Sequence, residues 1–257
     1  MTVMSAATGT PAIAKISPDA PWAWLGAGWR DMLRAPFLSL GYGAAFVVIG
    51  LAITAGLWRA GLESVIPAAI GAFALVGPLL AAGLYEISRR LEAGESLNAR
   101  DIIFVKMRSP AQMALIAFFL MFAVLVWMRM ATLIYALFAH GSYLPLGEFI
   151  PFTLTTRAGV MMLAVGSLTG GAIAFVIYVL TALSMPLLMD READAFTAIA
   201  LSVEAVKKNP GAMLLWAWII AVVTAVGIAL FLVGLIVAFP LLGHATWRAY
   251  RDLAGAA

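Results

Sequence analysis

Residues 212–244 read AMLLWAWIIAVVTAVGIALFLVGLIVAFPLLGH, 33 positions with no Asp, Glu, Lys or Arg. A helix needs about 20 apolar residues to cross a bilayer, so this run is too long for one upright span and tight for two. Gly227 and Gly234 lie within it. A break near Phe231 to Gly234 lets a second helix begin at Leu235 and run through the polar end Trp247-Arg248-Ala249-Tyr250-Arg251. The other apolar stretches are single spans, near Phe37 to Leu57, Val65 to Tyr85, Met113 to Leu137 and Gly159 to Leu183. The expected architecture is an all-α integral membrane protein with six transmembrane helices.

Composition points the same way. Of 257 residues, 64% are hydrophobic and 11% charged, against roughly 25% charged in a soluble domain, so the apolar excess must face lipid. The net charge of +3 comes from 16 basic and 13 acidic side chains. No basic run is available to track a phosphate backbone, which excludes a nucleic-acid partner. Without cysteine the chain has no disulfide, thiolate metal site, iron–sulfur cluster or Cys nucleophile.

Basic residues stay with cytoplasmic segments. With the N-terminus inside, those segments hold Lys15, Arg30 and Arg34, then Arg89, Arg90, Arg100, Lys106 and Arg108, then Arg191, Lys207 and Lys208, and finally Arg248 and Arg251. Only Arg59 and Arg157 fall outside, with Arg129 inside the third span. Five spans would strand Arg248 and Arg251 on the far side, so the bias favours both termini in the cytoplasm, in a bacterial inner membrane. Residues 1–20 lack the apolar core of a signal peptide and are expected as a flexible tail. Residues 21–257 then form a single membrane domain.

Two marks alternate three times along that domain. A basic residue stands two places before a proline ahead of each odd span, as Arg34-Ala35-Pro36, Arg108-Ser109-Pro110 and Lys208-Asn209-Pro210. Each even span carries Pro-Leu-Leu, at Pro78, Pro186 and Pro240. The pattern divides the chain into pseudo-repeats of about 21–95, 96–190 and 191–257. Before each leading proline sits a stretch with one apolar stripe: Trp22, Leu25, Trp29 and Leu33 opposite Arg30, Asp31 and Arg34; Ile102, Ile103 and Val105 behind a cap at Asn98; and Phe196, Ile199, Val203 and Val206 opposite a Glu204–Lys208 pair. Such stripes suit a short helix lying in the membrane interface, with Arg34, Arg108 and Lys208 as interfacial basic groups. A leading proline tolerates the first helical turn while restricting the residue before it, which makes a corner. Pro78, Pro186 and Pro240 are interior to their spans and free the carbonyls of Ala74, Ala182 and Ile236, as bends or as ligand-coordinating positions. Each unit therefore reads as interfacial helix, corner, outward span and bent return span.

The runs Gly83-Leu84-Tyr85-Glu86-Ile87-Ser88-Arg89-Arg90, Gly28-Trp29-Arg30-Asp31 and Pro240-Leu241-Leu242-Gly243-His244-Ala245-Thr246-Trp247-Arg248 resemble the bacterial family known as domain of unknown function 2189. The resemblance covers about Trp24 to Leu253. It implies a multi-pass inner-membrane protein without an established activity. Members sometimes carry the label of cytochrome c oxidase subunit I, which would need several intramembrane histidines for haem and copper. The chain has two histidines, His140 at the outer end of span three and His244 well inside span six, at different depths, so no cofactor is expected. The 13 Met residues show no clustering beyond core filling.

His244 is the leading ionisable candidate, either as a functional group in a span or as a neutral imidazole bonded to a neighbouring helix. Arg129 reads as a snorkelling residue or a lipid-phosphate contact. Glu86, beside Tyr85, has i,i+4 spacing to Arg90 and suits an ion pair at a helix end. Gly166 and Gly170 have the spacing of a close helix contact. No metalloprotease motif, phosphate loop or serine triad is present. Three functions stay open: a non-enzymatic protein that binds, scaffolds or assists a membrane assembly or homo-oligomer; a small-solute or lipid transporter with a cavity near the bent helices and His244; and a lipid-acting enzyme using Glu86, Asp190, Glu192 and Asp194.

Overall fold

The computed structural model describes residues 11–139 and 144–254. All regular structure among them is helical. The helices are α1 (Ala20–Arg34), α2 (Pro36–Arg59), α3 (Ile66–Leu80), α4 (Ala82–Ala93), α5 (Ala99–Ile103) and α6 (Pro110–Phe138). They continue as α7 (Leu146–Thr155), α8 (Arg157–Thr181), α9 (Ser184–Asp190), α10 (Ala195–Lys208), α11 (Pro210–Ala229) and α12 (Leu235–Ala254). Among the described residues, five stretches are long and apolar enough to cross a membrane: Pro36–Arg59, Glu63–Ala93, Pro110–Phe138, Arg157–Asp190 and Pro210–Ala229. The expected sixth span, α12, is not among them. Its C-terminal half carries Arg248, Arg251 and Asp252, and that half packs into protein rather than facing lipid.

The corners form where proline demands them. Pro36, Pro110 and Pro210 are the first residues of α2, α6 and α11, and Ala35, Ser109 and Asn209 before them leave the helical region, at φ near −130°. Two of these residues also tie the corner down. Ser109 Oγ donates to the Arg191 carbonyl (3.1 Å) and accepts from Ala193 N–H (3.0 Å). Asn209 donates to the Ala14 carbonyl and accepts from Ile16 N–H, both at 2.9 Å. With Ile13 buried and Ala14 N–H on the Leu253 carbonyl at 2.9 Å, the described part of the expected tail is packed against the bundle. Residues 1–10 lie outside the described residues.

The return helices bend in three ways. Pro78 stays within α3, and the break falls at Ala81, where the Leu80 carbonyl accepts from Tyr42 Oη at 2.8 Å. Between α8 and α9 the Ser202 hydroxyl inserts into the helical ladder, accepting from Leu183 N–H (3.2 Å) and donating to the Val179 carbonyl (2.8 Å). A side chain placed between groups that would otherwise bond each other is a recognised cause of a kink. Pro240 sits inside an uninterrupted α12. Its freed Ile236 carbonyl faces Gly43 of α2, where an added Cβ would lie 2.5 Å from that oxygen.

Burial is concentrated at one end. Every residue of 81–88 and of 183–189 is buried, as are most from Leu242 to Ala254. Helices buried all round form the centre of a packed layer, here α4, α9 and the end of α12, flanked by α1 and α10. Leu84, Ile87, Leu187, Leu188, Trp247 and Tyr250 belong to one core cluster with Trp24, which meets Trp216 of α11 edge to face at 5.7 Å. Lipid is as apolar as a leucine side chain and drives little packing between spans, so the cohesive core sits in this end layer. The stripes of α1 and α10 are only partly turned outward: Trp22, Trp29, Leu33 and Phe196 are exposed, Leu25, Ile199 and Val206 are half-buried against the core, and Gly28 and Asp31 of α1 and Ala198, Ser202 and Ala205 of α10 face inward. Asp31, expected on the polar side, is thus an interior residue. At the opposite end, α11 turns into α12 through Phe231 and Leu232, both at positive φ, and Gly234 lies directly against Gly227.

Candidate functional site

α1, α2, α4 and α12 each contribute to one buried polar cluster. Arg248 on α12 grips Asp31 on α1 with two hydrogen bonds, Nε to Oδ2 at 2.8 Å and Nη2 to Oδ1 at 2.7 Å. Ser88 Oγ on α4 donates to Asp31 Oδ2 at 3.0 Å. Having donated its proton, Ser88 accepts from His244 Nδ1 at 2.8 Å, so His244 Nε2 is the acceptor for Ser39 Oγ of α2 at 2.9 Å. The result is a directional relay from Ser39 through His244 and Ser88 to Asp31, with a neutral imidazole. Ser39, Ser88 and His244 have no exposed surface. His244 lies in the end layer, outside the five apolar spans.

A second cluster lies around Glu86, which accepts from Arg89 (2.8 Å) and Arg90 (2.6 Å). Arg89 also reaches Glu95 at 2.9 Å and Arg90 reaches Asp101 at 3.2 Å. A third joins α4, α9 and α12. Glu92 accepts from Trp247 Nε1 (3.0 Å) and Arg251 Nε (3.1 Å), Tyr250 Oη donates to Asp190 at 2.7 Å, and Arg191 donates to the Ala254 carbonyl at 2.9 Å. Between them lies a shallow pocket of about 250 Å³ lined by Arg89, Glu92, Ala93, Asp190, Trp247 and Arg251. A larger one, about 460 Å³, opens near Arg157 and Met161. Neither touches His244.

Of the residues singled out from sequence, His244, Glu86 and Tyr85 come together in the end layer with Pro186 and Pro240, all buried. Pro78 lies on α3, one turn before that layer. Arg129 is exposed on α6 and makes no ion pair among the described residues. Arg34 and Arg108 are exposed at their corners, and Lys208 donates to the Ile13 carbonyl rather than pairing with Glu204. Gly170 packs on the Trp127 ring, while an added Cβ at Gly166 would meet nothing within 4 Å. His140 lies outside the described residues. No group of three metal-ligating side chains occurs among the described residues. Asp31, Ser39, Ser88 and Arg248 escaped the sequence reading as site residues. Asp31, Ser88 and Arg248 stand within the three runs quoted above, but nothing in their spacing joins four separate helices.

No curated protein and no solved structure matches the chain. A family model described as "Predicted integral membrane protein (DUF2189)" matches residues 65–190. That match includes the Gly83–Arg90 run, on which the Glu86 cluster and Ser88 lie. Over residues 65–190, just under half of its length, the chain is therefore similar to this family of integral membrane proteins.

Proposed function

We propose that the protein is a non-enzymatic membrane protein that binds or scaffolds other components of the bilayer. The observation supporting this best is how the ionisable groups of the end layer are used. Asp31, Glu86, Glu92 and Asp190 are each held by named donors, and His244 is closed between two serines. Acid–base or nucleophilic chemistry needs such a group beside a space for substrate. Here Glu86 is paired within α4, the pocket beside Glu92 and Asp190 is shallow and both carboxylates are already held by donors from α12, and the packing that encloses His244 also favours binding over a transport path beside it. The surface left for function is the apolar exterior of the spans. Purification in mild detergent followed by native mass measurement is expected to show a homo-oligomer or a co-purifying protein or lipid. A bare, stable monomer would overturn the reading.

The same proposal covers topology. The chain makes three hairpins in a bacterial inner membrane, with both termini and the end layer on the cytoplasmic side, and α11 with α12 forms the third. Supporting this, Asn209 at the start of α11 and Leu253 near the end of α12 are bridged through Ala14. The tip from Leu230 to Gly234 has no polar side chain, and Leu230 and Phe231 are 58% and 88% exposed. Its backbone is closed by local bonds, such as Val233 N–H on the Leu230 carbonyl at 3.1 Å, as lipid requires. Since the chain has no cysteine, single-Cys variants report depth directly. A membrane-impermeant maleimide added outside should label Ala60→Cys and spare Leu230→Cys until detergent is added. Equal labelling of the two would place the tip in water.

A further inference from the structure

The charges around the end layer are sorted. The inner arginines are engaged: Arg89 and Arg90 on Glu86, Arg248 on Asp31, Arg251 on Glu92 and Arg191 on a carbonyl. The outer cations are not. Arg30 and Arg34 on α1, Lys106 and Arg108 before α6, and Lys207 at the end of α10 are exposed and form no ion pair among the described residues. The acid nearest the second corner, Asp101, is already paired with Arg90.

The unpaired cations of the first two corners lie beside exposed apolar side chains. At the first corner these are Trp22 (57% exposed), Trp29 (45%), Leu33 (57%) and Phe37 (93%). Ile103 and Phe104 flank the second; at the third, Phe196 is exposed on the same helix as Lys207 but about three turns before it. Every corner immediately precedes a proline that opens an apolar helix, so all three sit where the chain enters the membrane. A soluble partner would leave this aromatic surface only partly covered. A bilayer covers it fully, since tryptophan favours the interfacial depth and unpaired arginine and lysine are donors for phosphate oxygens.

We infer that the three corners are seats for anionic phospholipid headgroups of the surrounding bilayer, the first being the strongest. Arg30 and Arg34 donate to the phosphate, and Trp29, Leu33 and Phe37 border the acyl chains. This rests on the reading of the protein as a membrane binder but fails separately from it.

The test uses the full chain in nanodiscs of phosphatidylcholine with a minority of phosphatidylglycerol, with retained lipids counted by native mass spectrometry. Phosphatidylglycerol should be enriched, and less so at high salt. The double variant Arg30→Gln/Arg34→Gln should weaken the first seat roughly thirtyfold, at about 1 kcal/mol per cation, and so lower the count of retained phosphatidylglycerol while the other two corners keep theirs. Arg157→Gln, an exposed cation away from the corners, should leave it unchanged. Retention in the same proportion as the bulk lipid, or enrichment undiminished in a double variant that remains helical and monodisperse, would overturn the inference. If an oligomer or protein partner is still retained in either case, the broader function stands and only the lipid seats fall.

Discussion

Replacing Asp31 with Ala is expected to lower the unfolding free energy by about 3–5 kcal/mol, the range for breaking a buried ion pair from one side. In a protein of this size that corresponds to a fall in melting temperature of about 10 °C. Asp31 is 2% exposed and accepts three hydrogen bonds, two from Arg248 and one from Ser88. The variant leaves a guanidinium without its carboxylate and frees the Ser88 proton, on which the orientation of His244 depends. Differential thermal unfolding in detergent, with helicity followed by circular dichroism, measures the loss. A companion Arg248→Ala variant and the double variant complete a cycle, and the two single losses should be strongly non-additive because they remove the same pair. If Asp31→Ala unfolds within a degree or two of the parent, the relay is not what holds α1 to α12.

This expectation differs from that for an exposed pair such as Arg89 with Glu95, where solvent screens the charges and the pair contributes about 1 kcal/mol or less. Both are arginine–carboxylate contacts of similar length, 2.7 and 2.9 Å. Burial decides which matters. It is also why α4 and α12 converge on Asp31 of α1: a carboxylate inside protein must collect donors, and Ser88 and Arg248 can supply them only by meeting there.

Much of the fold was legible because lipid imposes a plain rule, an apolar run of about 20 residues per span. The stretches around Phe37, Val65, Met113 and Gly159 obey it, and α11 does too. At α12 the rule gives no plain answer, for a physical reason. Leu235 to Gly243 is apolar like a span, but Trp247, Tyr250 and Leu253 are buried by protein, and hydropathy does not distinguish burial in lipid from burial in a core. The same ambiguity misplaced Asp31. Of the stripe Trp22, Leu25, Trp29 and Leu33, three members face outward and Leu25 packs on the core, and of the charged residues opposite only Asp31 turns into protein while Arg30 and Arg34 stay exposed. His244 was legible as an isolated ionisable group. Its partners were not, since Ser39, Ser88 and Asp31 come from three other helices and a hydroxyl carries no sequence signal of its own. For helix packing the sequence pointed to Gly166 and Gly170, by spacing. Close approach depends on the neighbour as well, and it is Gly28, Gly43, Gly83 and Gly159 that lie against a backbone atom of another helix.

Two glycines on one helix make that dependence measurable. In a helix interior Ala is favoured over Gly by about 1 kcal/mol, so Gly26→Ala is expected to stabilise by roughly that amount, because its new Cβ meets only the flexible end of Arg30 at 3.7 Å. Gly28→Ala is expected to do the reverse. There the Cβ would lie 2.6 Å from the backbone nitrogen of Ala245 and 2.9 Å from its Cα, and neither atom can move without shifting α12. Overpacking of this kind costs about 1–3 kcal/mol and more where backbone must yield, which exceeds the propensity gain. The net loss should be about 2 kcal/mol, with a larger effect for Gly28→Val. Because Ala245 follows His244, a shift of α12 here also lengthens the bonds to Ser39 and Ser88. Faster amide exchange at the start of α4 should therefore accompany the loss. Equal thermal stability of the Gly26→Ala and Gly28→Ala proteins would show that α1 does not seat on α12 through Gly28.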